Sequence, residues 1–203
     1  DSIFNFQFST LNSQFGYDRL DRVTKTIYPD GTVSTSDYIV GSDADGILRL
    51  EMDATDQNGH TSYIFANVRG QNTTTIDPLG ATTVFHYDNI GQLTKTISPD
   101  GDTTMHFYDL LGRRTDRVHP SAGHTRWEYD PAGNMFLQTQ NDGQWIEYKY
   151  EYNRPVQIMY SDRPWNNVWY KYGNSGTEAG RIVYLQDATG VQQFHYDYMG
   201  NVD

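Results

Sequence analysis

Tyr87-Asp88-Asn89-Ile90-Gly91 begins a stretch that recurs with a fixed period. From residue 87 the chain reads YDNIGQLTKTISPDGDTTMHF (87–107), YDLLGRRTDRVHPSAGHTRWE (108–128) and YDPAGNMFLQTQNDGQWIEYK (129–149), then reaches Tyr150. Tyr87, Tyr108, Tyr129 and Tyr150 are each 21 residues apart. Gly91, Gly112 and Gly133 follow their tyrosines by four places, and Gly101 and Gly143 by 14. In the middle unit Ala122-Gly123 straddles that second place. A constant period of this length is the mark of a repeat architecture.

One unit reads as one hairpin. Leu93 to Ile97 is rich in β-branched residues, which suits a strand. Pro99-Asp100-Gly101 is turn chemistry: proline presets φ, aspartate bonds nearby amides and glycine takes φ > 0. Thr103 to Tyr108 is the returning strand, and Asp109 to Gly112 the next turn. Chained hairpins predict an all-β, antiparallel meander whose strand twist curves it. Side chains alternate faces along a strand, so equivalent positions share a face. Counting from each tyrosine, this places Phe85, His106, Trp127 and Tyr148 (two before) on the tyrosine side. It also places there Leu93, Arg114, Met135 and Val156 (six after), and Ile97, Val118 and Thr139 (ten after). Thr94, Thr96, Thr115 and Arg117 fall on the wet side.

The phase extends in both directions. Tyr17-Asp18 opens a unit with Gly31 14 residues on and Tyr38 21 on, and Tyr196-Asp197 with Gly200 restores the motif near the end. Phe4, Phe6 and Phe8 alternate like a strand. Residues 39–64 and 151–195 are irregular: GSDADG (41–46) and DQNG (56–59) read as longer turns, and residues 173–180 as a glycine-rich insertion. No strong helix signal occurs. The expected organisation is a single array over residues 1–203, and repeats running at both ends read as a piece of something longer.

Composition narrows the function. A net charge of −11 makes nucleic acid and anionic membranes poor partners. With no cysteine, thiol catalysis and thiolate metal sites are excluded. No apolar run approaches the ~18 residues of a membrane span. Aromatics at 14% suit a sheet that covers itself with rings.

The pentapeptides Tyr87–Gly91, Tyr108–Gly112, Tyr129–Gly133 and Tyr196–Gly200 resemble the RHS/YD-repeat family over nearly the whole chain. The resemblance implies a β-strip that spirals into a hollow shell. In bacterial members that shell encloses a toxic C-terminal domain, and in the teneurins a similar barrel belongs to an adhesion protein. A non-enzymatic, secreted or cell-surface structural segment is therefore expected, from a bacterial parent, with the rest of that chain and its enclosed domain as partners. The family's self-cleavage signature is only superficially matched by Asp77-Pro78-Leu79-Gly80, at an ordinary turn position.

No constellation of catalytic, cofactor or metal residues emerges. His119 and His124 flank one turn and could face each other across it, but a metal site needs three or four convergent ligands. Asp43, Asp45 and Asp53 lack the calcium-loop pattern and read as a solvated acidic turn. The tyrosine–aspartate pairs read as structural. Trp165 and Trp169, in the irregular region, are candidates for a surface that contacts glycan or protein. A single-layer sheet leaves edges and an aromatic face bare, so self-association of the isolated piece is also expected.

Overall fold

The computed structural model describes residues 12–202; the expected strand at Phe4, Phe6 and Phe8 lies outside them. The chain forms two compact units that divide at Thr103/Thr104. In the first, β1 (Gln14–Tyr17), β2 (Val23–Ile27), β3 (Val33–Ser42), β4 (Leu48–Thr55), β5 (Thr61–Ala66), β6 (Asn72–Ile76), β7 (Thr82–Tyr87) and β8 (Leu93–Ile97) pair each with the next, all antiparallel. β9 (Thr103–Tyr108) begins at the join. The second unit continues with β10 (Arg114–His119), β11 (Gly123–Tyr129), β12 (Met135–Thr139), β13 (Trp145–Glu151), β14 (Arg154–Tyr160), β15 (Val168–Tyr172), β16 (Ile182–Asp187) and β17 (Gly190–Gln193). Here too every pairing from β9 to β17 is antiparallel and between chain neighbours. The only helical pieces among the described residues are single 3-10 turns at Pro164–Asn166 and Gly176–Glu178. The all-β meander of hairpins read from the repeat is thus the fold.

Both turns of a unit have one geometry. Gly91 N–H donates to the Asp88 carbonyl and Asp88 N–H to the Gln92 carbonyl; Gly101 and Ser98 repeat this with Ser98 and Asp102. This is a type I turn closed by a left-handed residue, and Gly91 (φ 94°) and Gly101 (φ 86°) supply it. The turns at 43–46 and 56–59 use the same bonds, through Asp43/Gly46/Ile47 and Asp56/Gly59/His60. They are therefore no longer than the others. What sets 39–64 apart is strand length: β3 has ten residues and β4 eight. In β13–β14 the glycine turn is replaced by a two-residue turn, Tyr152 (φ 51°) and Asn153 (φ 60°), inside the Glu151↔Arg154 pair. That is the left-handed pair a tight hairpin demands.

A β-bulge lies opposite Tyr17, Tyr87, Tyr108, Tyr129, Tyr150 and Tyr172. Tyr87 faces Leu93 but His86 faces Lys95, so Thr94 is an extra residue; Thr115 and Phe136 are the extra residues opposite Tyr108 and Tyr129. An extra residue shifts the two-residue alternation. This corrects the expected faces. The tyrosines, Phe85, His106, Trp127 and Tyr148 do share a side with Leu93, Arg114 and Met135. Ile97 pairs with Val84, Val118 with Met105 and Thr139 with Arg126, all on the other side. Thr96 and Arg117, expected on the wet side, lie with the tyrosines, and Pro155 rather than Val156 stands opposite Tyr150.

Little of this fold is buried. Phe65 (5% exposed) is the one buried apolar side chain among the described residues, and Thr73, Thr74 and Asp43 are the buried polar ones of the first unit. They cluster because the long β3–β4 hairpin brings its turn to β6. Asp43 Oδ2 accepts from Thr73 Oγ1 (3.1 Å), and Thr74 Oγ1 accepts from the Ala44 amide (3.3 Å).

Candidate functional site: the tyrosine–aspartate edge

Each aspartate of the motif holds its own turn. Asp109 Oδ1 accepts from the amides of Leu111 and Arg113 at 2.9 Å, and Asp88, Asp130 and Asp197 act alike. The amide of Arg113, then its side chain and the Leu111 amide, outweigh desolvation and hold the Asp109 carboxyl below its ordinary range. Asp130 and Asp197 are lowered first by the side-chain amides of Asn134 and Asn201. At Asp18 the glycine place is taken by Asp21, at φ 58°, a residue type that tolerates this region.

The tyrosine hydroxyls reach across to the neighbouring strand. Tyr129 Oη donates to the Arg114 carbonyl (2.8 Å), Tyr150 Oη to Met135 (2.8 Å), Tyr87 Oη to Asn72 (2.9 Å), Tyr172 Oη to Pro155 (2.9 Å) and Tyr196 Oη to Ile182 (2.8 Å). Each acceptor is the residue immediately before the extra residue of a bulge. The bulge interrupts the ladder, and the next tyrosine supplies a donor there.

A third contact joins successive repeats. Arg113 binds Asp109 Oδ2 (2.7 Å) and lies 4.7 Å from the centre of the Tyr129 ring; Arg22 binds Asp18 (2.6 Å) and lies 4.0 Å from that of Tyr38. One unit's aspartate thus orients a guanidinium over the next unit's tyrosine. Where the arginine is absent, a polar side chain still reaches the following turn: Gln71 Nε2 donates to the Gly91 carbonyl (2.8 Å). The bulge, the hydroxyl bond and the arginine's role were not anticipated. The available signal was an arginine five places after Tyr17 and Tyr108 and 16 before Tyr38 and Tyr129.

The other candidates are dispersed. Asp43 is not a solvated acid: its side chain is 1% exposed and pairs with Arg49 at 2.9 Å. Burial pushes its carboxyl up, but bonds from Arg49, the Ile47 amide, Thr73 and the Asp45 amide more than offset this and hold it low. Asp45 lies 3.6 Å from His86 Nδ1, beside a polar cleft of about 360 Å³ lined in part by Arg49, Arg69, Gln71 and His86. Asp53 sits instead beside Glu51, whose carboxyl is raised by burial and then by the Asp53 charge. His119 and His124 do not face each other, because adjacent residues of a strand point to opposite sides. His119 Nδ1 accepts from the Ser121 and Ala122 amides (3.1 Å), and His124 Nε2 pairs with Asp116 (2.8 Å). Trp165 stands 69% exposed on its 3-10 turn, while Trp169 is half-buried in β15 on the side away from Tyr170 and Tyr172. Among the described residues no group of three or more His, Asp or Glu side chains is placed to hold a metal ion. Nor is any helix there long and apolar enough to cross a membrane.

These features define a chain of coupled β-hairpin repeats. Residues 66–103 match the family described as RHS Repeat. The fold is similar to that of two solved structures, "Crystal Structure of TcdB2-TccC3-TEV" (TM-score 0.73) and "Crystal Structure of TcdB2-TccC3 without hypervariable C-terminal region" (TM-score 0.72). Each is 18% identical, and the alignment covers 94% of this chain but 11% of the solved one. No curated protein matches in sequence.

Proposed function

We propose that the chain is a non-enzymatic structural segment of a larger, secreted or surface-exposed bacterial RHS-type protein. Residues 1–203 would form one continuous run of repeats within a β-shell that encloses or presents an effector domain. The observation that carries this reading is the repeat-to-repeat coupling. Aspartate, arginine and tyrosine of successive units are tied in series, as a strip built for extension requires, while the described interior holds one buried apolar side chain. The likeness to chains of which this fold covers 11% supports a segment of something longer. The test is protease protection in the full-length parent. Its C-terminal domain should resist digestion while the repeats are intact and become cleavable once they are unfolded; a C-terminal domain digested at the same rate in both states overturns the shell.

The exposed Trp165 supports a second reading, a module that recognises glycans. Glycan-array binding lost in Trp165→Ala would favour it; an array without hits would remove it.

A further inference from the structure

Charge is divided between the two sides of the second unit. On the tyrosine side, the strand positions of β9 to β15 carry no aspartate or glutamate, while Asp116, Glu128 and Glu147 lie on the other. Yet that acid-free side holds Arg114 and Arg117 on β10, and His106 opposite Arg117. Neither arginine has an ion pair among the described residues. Arg117 Nη2 donates to Thr125 Oγ1 (3.3 Å), but its Nε is buried without a partner, as is His106 Nδ1. Arg114 is exposed and lies 5.9 Å from the centre of the Tyr108 ring. Burial, then the charges of Arg114 and Arg117, hold the His106 imidazole below its usual range. Two unpaired guanidinium groups and an imidazole thus converge inside an aromatic frame, in a chain of net charge −11.

We propose that this patch is a docking site for a short acidic polypeptide segment, whose carboxylates pair with Arg114 and Arg117 and accept from His106. Its aliphatic carbons would lie on Tyr108, Trp127 and Tyr129. The guanidinium fork matches a carboxylate in two bonds, and the exposed Arg114 is the group an arriving carboxylate meets first. Charge complementarity selects a short segment: the patch offers two guanidinium groups and one imidazole, which two or three carboxylates match. The inference stands apart from the shell reading, since it needs only this face.

The probe is N-acetylated hexaglutamate, titrated into the 203-residue chain at low ionic strength and followed by calorimetry and by the His106 ring resonances. The expected results are saturable binding, a His106 midpoint moved to higher pH by the peptide, and affinity reduced at least about tenfold in Arg114→Gln/Arg117→Gln. Arg126→Gln, on the opposite side beside Glu128, should leave affinity unchanged. Should the double variant misfold, the exposed Arg114→Gln alone should weaken binding several-fold. No saturable binding, an equal loss in Arg126→Gln, or an unmoved His106 midpoint overturns the proposal. So does inorganic phosphate competing at equal concentration, which would identify a bare anion site.

Discussion

Asp109 illustrates how single residues carry this fold. Its carboxyl lies below the ordinary value near 3.8 because the folded turn donates to the charged form. A carboxyl depressed on folding stabilises above its unfolded pKa, and that contribution disappears as pH falls through the lower, folded value. Asp109→Ala should therefore lower the urea midpoint at pH 7, and the gap from wild type should close as pH drops below about 4; a gap constant with pH would refute the assignment. Glu51 has the opposite sign. Its carboxyl is raised by burial and by Asp53, so its uncharged form stabilises at low pH and the benefit is lost as pH rises through the raised value. Glu51→Gln should raise the midpoint at pH 7 and change little at pH 4, read from the same melts. Tyr150→Phe keeps the ring but removes the bond to the Met135 carbonyl, and a loss of about 0.5–1.5 kcal/mol is expected from denaturant unfolding. The aspartate and glycine of each turn were legible because their roles are local. The tyrosine hydroxyl's acceptor, 15 residues back, was not, because it depends on which strand lies alongside and where its bulge falls.

Among the elements, turns and bulges divide the labour. The turn sets where a strand begins, and the bulge then decides which side its residues face. Gly101 stands at φ 86° with open space around its Cα, so Gly101→Ala should cost only the left-handed conformation, about 1–2 kcal/mol, measurable as a lower urea midpoint. The 43–46 turn behaves differently because it docks on β6. Removing the acid in Asp43→Ala leaves Arg49 and Thr73 without their shared partner, and a loss of about 3 kcal/mol is expected in the same measurement. A loss below that of Gly101→Ala would show that the docked turn contributes little. From its own residues this element reads as a solvated acidic turn, and its burial follows instead from the extra length of β3 and β4. The faces were half legible for a related reason. A two-residue alternation predicts the side of Leu93 correctly, but one inserted residue reverses every position beyond it, as at Ile97.

At the scale of the molecule, the described residues form a succession of hairpins, each antiparallel to its neighbour within its unit, with one buried apolar side chain among them. Stability of such an array is a sum of local units and their nearest-neighbour couplings. Breaking the coupling in Arg113→Ala should therefore reduce protection of amides around 108–129 in hydrogen exchange while leaving those of β3 and β4 unchanged. Uniform loss across both regions would show global cooperativity instead. By itself the sequence determined the all-β class, the 21-residue period and the turn residues, since turn propensity and strand alternation act within a few residues of chain. Only the tertiary structure decided the bulges, the hydroxyl bonds, the burial of Asp43 and the gathering of His106, Arg114 and Arg117 on an acid-free side. Those depend on strand register, and register is set by neighbours the local sequence does not contain.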